Sequence, residues 1–177
     1  MSLTFELIPN SQSNFSLSKS NLITKLGSDF DVYFGENISK SVQYLDSNKI
    51  KASQIDNPEE ENPDFGLLPK NLKLRALLDG PIEFNYDTDA KYYFIRTTTR
   101  QNEVVIICEY ITGKVAELFD CSIYCEITDQ TQTPAEFFEQ DFILQDIEKM
   151  LNGPQRPNFS QEEIKQQNYD LAEALKK

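Results

Sequence analysis

No histidine occurs in this 177-residue chain. Its absence excludes Ser-His-Asp and Cys-His catalysis, histidine metal sites and histidine general bases. Glycine is scarce, with six in all, and neither GxxxxGK[ST] nor GxGxxG is present, so no phosphate-cradling loop is expected. There is no CxxC pair, and three cysteines are an odd number with no secreted disulfide framework around them. The longest purely apolar run is residues 104–108, far short of a bilayer span. Residues 1–9 hold no basic region, and no apolar stretch follows, so the expectation is no secretory leader and a cytoplasmic protein. Neither a cofactor nor a metal is expected, and the chain reads as a non-enzyme.

Positive charge is the other shortage. Seventeen basic residues face 29 acidic ones, giving a net charge of −12 and a pI near 4.4. A field of that sign is repelled by nucleic acid and by anionic membrane surfaces, and it attracts basic proteins. Acidity also keeps a protein soluble with no partner in view. Hydrophobic residues make up 39% and aromatics 11%, enough to drive folding.

The clearest pattern lies in residues 81–128, which predicts three or four consecutive antiparallel strands. Val115, Phe119, Cys121, Ile123, Cys125 and Ile127 share one face of a period-2 pattern. Cys121 and Cys125, four residues apart on a strand, would be separated by about 13 Å, beyond disulfide reach. They read as small buried hydrophobes. Residues 103–111 are nearly all apolar and predict a central strand covered on both faces, with Thr112-Gly113-Lys114 turning into the next. Ile82, Phe84 and Tyr86 predict one strand and residues 92–99 another.

Upstream, Leu3, Phe5 and Leu7 alternate as a first strand. Leu22, Ile23 and Leu26 before Gly27 predict a short helix. Residues 31–34 predict a strand, Gly35-Glu36-Asn37 a hairpin turn, and further strands follow over 38–44 and 50–55, with one or two helical turns over 38–45 as the alternative. Residues 65–79 fit a helix through Leu74, Leu77 and Leu78 stopped by Gly80-Pro81, which is the preferred reading, while Leu72, Leu74 and Ala76 also fit a strand. Downstream, Thr133 and Glu136 form a capping box with Pro134 at the first helical position, predicting one helix to about Leu151. Its stripe is Phe137, Ile143, Leu144, Ile147 and Leu151. Ser160 and Glu163 predict a last, peripheral helix. The fold class is therefore α+β: an antiparallel sheet, with a meander over about 82–127, two C-terminal helices and a smaller N-terminal β/α region. A single domain spanning 1–177 is expected, with an acidic linker at 56–64 between subregions 1–55 and 65–177.

Three features suggest binding. The run DNPEEENPD has no basic residue and two prolines, so it reads as a solvated connector or as a docking loop for a cationic surface through Asp56, Glu59, Glu60, Glu61 and Asp64. Phe138 and Phe142, an i,i+4 pair off the main stripe, either pack against the last helix or form an exposed anchor. The segment 96–100 is the one basic spot of the meander and reads as pairing locally or capturing an anion. Together these suggest a small acidic, non-catalytic monomer or homodimer that shields a basic protein partner. Bacterial immunity proteins, which neutralise toxins, are of that physical type, although no residue pattern is shared. A dimeric secretion or assembly chaperone and a carboxylate-based enzyme are the alternatives.

Overall fold

The computed structural model describes residues 3–11, 16–34, 57–97, 101–140 and 142–153. Short alternating segments assemble its sheet. These are β1 (Leu3–Pro9), β2 (Phe30–Phe34), β3 (Phe65–Pro69), β4 (Ile82–Asp87), β5 (Tyr92–Thr97), β6 (Cys121–Cys125) and β7 (Gln130–Gln132). All neighbours are antiparallel, in the order β2-β3-β4-β5-β1-β6-β7. The α+β class expected from the sequence is the one observed.

One face of this sheet builds the core. Phe5 and Leu7, Phe65 and Leu67, Phe84, Tyr93 and Ile95, and Cys121 and Ile123 are almost wholly enclosed. Phe65 stacks on Phe84 with ring centroids 4.7 Å apart, and Tyr93 meets Phe65 edge-on at 5.3 Å. The Tyr93 hydroxyl donates to Pro63 O at 2.9 Å, so its burial leaves no polar atom unpaired. Cys121 and Cys125 point inward, as their alternation predicts.

Helices cover that same face. In α1 (Lys19–Leu26), Ser18 caps the start by accepting from Asn21 N, and Leu22 and Leu26 are buried. A single helical turn, α2 (Leu72–Arg75), follows β3, capped by Asn71. Residues 65–79 are thus a strand and a turn, not the expected helix. Phe65–Pro69 is enclosed on both sides, and a short apolar run buried that way has no period to read.

The expected strand over 103–111, and with it the start of the long strand after Gly113, is instead α3 (Asn102–Leu118). Its buried residues Ile107, Cys108, Ile111, Thr112, Val115 and Ala116 recur at helical spacing on one side. The meander is therefore interrupted: β4 and β5 form a hairpin, and β6 returns beyond α3 to pair with β1. Gly113 is no turn. A Cβ built there would stand 2.5 Å from the Phe138 ring, so glycine lets α3 and the next helix approach closely.

The predicted capping box is present: Thr133 N donates to Glu136 Oε2 at 2.9 Å, and Glu136 N donates to Thr133 Oγ1 at 3.3 Å. The helix it starts is not continuous, however. It divides into α4 (Pro134–Gln140) and α5 (Ile143–Asn152), with Phe142 in the left-handed region at φ 53°. The break turns Phe137, Phe138, Ile143 and Ile147 inward together, which one straight stripe cannot do, and leaves Leu144 exposed. The strands expected over 38–44 and 50–55 and the helix expected from Ser160 lie outside the described residues. Among the described residues no helix is long and apolar enough to cross a membrane.

Candidate functional site

The acidic run is anchored rather than free. Over residues 57–64 its backbone is stitched to the start of α1: Ser20 N donates to Pro58 O at 3.0 Å, Lys19 N to Glu60 O at 3.3 Å and Asn62 N to Leu17 O at 2.8 Å. Asn62 Oδ1 accepts from Leu17 N at 2.9 Å, and Ser18 and Glu61 form an isolated antiparallel bridge. Glu60 pairs with Lys19 at 2.5 Å, and Glu59 accepts from the Ser20 hydroxyl at 3.3 Å. Pro63 is buried, and Asp64 Oδ1 accepts from Tyr86 N at 2.7 Å. Glu59, Glu60 and Glu61 remain solvent-exposed, while Asp56 lies outside the described residues. Strands on both sides of the run, β2 and β3, pair directly, so the run braces one sheet.

The two phenylalanines separate. Phe138 is only 8% exposed, packed on Gly113, near Tyr110 and under the Lys114 ammonium at 5.6 Å. It is a core residue. Phe142 is 61% exposed on the left-handed corner between α4 and α5. This corner is near the β7 edge, through α4, whereas the acidic run lies by β3. Five strand spacings of about 4.8 Å separate those strands.

A surface that no linear motif announces lies on the outer side of the sheet. Pair registers place Asn85, Phe94, Glu6, Tyr124 and Thr131 in one row across β4, β5, β1, β6 and β7. Glu6 is central, with Phe94 on one side and Tyr124 on the other. Glu83, Asp87 and Tyr92 share this face by alternation, as does the exposed Arg96. Burial, then the nearby Glu6 carboxylate, raises the Tyr92 pKa, and the Tyr124 hydroxyl donates to Asp129 Oδ1 at 3.0 Å, which raises that phenol too. The β2–β3 end of this face is closed by Tyr33, Leu68 and Leu78 beside an Arg75–Asp31 ion pair at 2.6 Å. From β4 to β7 no described helix lies on it, and the apolar sides of the helices all join the opposite core. Alternation could have marked these residues as outward-facing, but only the register brings them together. Arg100, the other end of the basic spot, is outside the described residues.

A polar groove between β7 and α4 is lined by Asp129, Gln130, Thr131, Gln132, Glu136 and Gln140. Its two carboxylates are already engaged, Asp129 by Tyr124 and Glu136 by Thr133, whose hydrogen bonds hold Glu136 below the usual carboxylate range. Among the described residues no group of three or more cysteines and carboxylates could hold a metal ion.

The chain carries a net charge of −12. The cations of the described residues are largely used internally. Lys19, Arg75, Lys114 and Lys149 pair with carboxylates, Lys25 lies 5.0 Å over the Phe119 ring, and Lys70 and Lys73 donate to backbone carbonyls. No family model matches the chain, and no curated protein or solved structure is significantly similar to it.

Proposed function

We propose that this protein is a non-catalytic acidic binding protein that shields or neutralises a basic protein partner. The observation that carries the reading is the net charge of −12, with most cations of the described residues already engaged internally. Carboxylates left over by internal pairing set the sign of the surrounding potential, and such a potential accelerates encounter with a cationic surface.

The test is kinetic. A partner identified by cross-linking in the source cell is expected to be basic. Its association with the purified full chain should slow steeply as salt rises, because the Debye length falls from about 30 Å at 0.01 M to about 10 Å at 0.1 M. Dissociation should change much less, since it depends on desolvated contacts. An on-rate indifferent to salt defeats the reading. An acidic partner, or an apolar peptide held by a dimer, moves the function to the chaperone class.

A further inference from the structure

Sheet faces that carry no helix are ordinarily polar and mixed in charge. The outer face from β4 to β7, on which no helix of the described residues lies, departs from that in two ways. First, its carboxylates outnumber its cations: Glu6, Glu83 and Asp87 lie on the strands, with Asp129 held at the edge by Tyr124, against Arg96. Second, rings flank the central carboxylate. Cross-strand neighbours have Cβ atoms about 4.5–5.5 Å apart, so Phe94 and Tyr124, each paired directly with Glu6, border it on both sides. Tyr92 supplies a third ring on the same face.

Such an arrangement suits one side chain above others. A guanidinium donates two parallel hydrogen bonds to a carboxylate and stacks its flat face on an aromatic ring. An ammonium matches the charge but neither the fork nor the plane. A second copy of this chain would bring another acidic surface and be repelled.

We propose that the outer face of the sheet, centred on Glu6 between Phe94 and Tyr124, is the docking surface for an arginine-bearing segment of a basic protein partner. This assignment rests on the basic-partner reading and adds to it a location and a side-chain preference. The acidic run 57–64, stitched to α1, contributes to the long-range field and not to the contact.

The experiment is a titration of the isotope-labelled full chain with a short peptide of alternating arginine and glycine, followed by NMR, with the lysine counterpart as a second probe. The expected shifts cluster on the amides around Glu6, Phe94 and Tyr124. Glu6→Gln and Tyr124→Ala, each checked for an unchanged melting temperature, should weaken arginine-peptide binding about tenfold, the equivalent of about 1.4 kcal/mol. Replacing Glu59, Glu60 and Glu61 together by glutamine should leave the shift pattern in place, and the lysine peptide should bind at least several-fold more weakly. Shifts confined to residues 57–64, or equal binding of both peptides with no effect of Glu6→Gln, overturn the docking surface while the basic-partner reading stands. If neither peptide binds at low salt, both fall. Contacts between the outer face and residues 154–177 in the free chain would show that the chain itself occupies this surface and would also overturn the assignment.

Discussion

At the scale of single residues, Gly113 and Phe138 form a lock whose two halves read differently in isolation. A glycine between Thr112 and Lys114 looks like a turn, and a phenylalanine off the main helical stripe looks available to a partner. Their contact explains both, because the ring occupies the space where a Cβ would stand. Gly113→Ala would gain up to about 1 kcal/mol of helix propensity. It also forces the enclosed ring to move, and overpacking of that kind costs typically about 1–3 kcal/mol. The variant is expected to be less stable on balance, by urea denaturation. Phe138→Ala should lose about 3–5 kcal/mol as a core truncation. If Phe138→Ala instead kept its stability and lost partner affinity, the ring would have to be an interface residue. The inward-facing cysteines were legible from alternation at 121, 123 and 125 because a strand at that depth leaves one face no choice.

Elements show which parts of the pattern can be read without a structure. The β4–β5 hairpin was legible because rings alternate on both sides of a polar turn, where Asp87 Oδ1 accepts from Asp89 N and Ala90 N. Helix α3 was not, since 104–108 is continuously apolar and Gln101, at its start, makes no side-chain capping bond. The docking face was not legible as a unit, because Glu6, Phe94 and Tyr124 lie far apart in sequence and meet only through register. The brace formed by residues 57–64 was also hidden: acidic side chains advertise solvent, whereas it is the backbone that makes the contacts. Asn62 has φ 50°, and its side chain accepts from Leu17 N. Asn62→Ala should therefore cost about 1–2 kcal/mol from the lost hydrogen bond and the left-handed backbone. Glu61→Gln should stay within about 0.5 kcal/mol. Equal melting temperatures for these two variants would mean the stitching contributes nothing. The α4–α5 corner makes the opposite prediction. Phe142 buries little and holds a left-handed conformation, so Phe142→Gly is expected to keep or raise the melting temperature; a loss above about 1 kcal/mol would show that the exposed ring is packed in solution.

The molecule as a whole should be limited by alkali. Burial, aided by Glu109, pushes the Cys108 thiol up to about 12, and burial with help from Asp120 pushes Cys121 up to about 12, both from 9.0. Tyr93 is raised above its ordinary 10.0, chiefly by burial. In each case the unfolded chain releases its proton first. The stability the two thiols give is therefore complete below about pH 9 and is lost as pH rises through about 12, and Tyr93 adds to the loss from about pH 10 upward. The slope approaches about 1.4 kcal/mol per pH unit for each group while only its unfolded form titrates. Urea midpoints should fall from pH 9 upward, and Cys121→Ala should flatten that decline. A midpoint level to pH 11 would place the thiols in contact with water. The sheet order sets a different limit, one of timing. β1 lies between β5 and β6, so both strands that complete it are synthesised long after it. At roughly 5–20 residues per second, the wait for β6 is on the order of 6–24 s. Until β6 is made, an apolar segment carrying Phe5 and Leu7 lacks at least one neighbour, and the nascent chain must be kept from pairing with another of its kind.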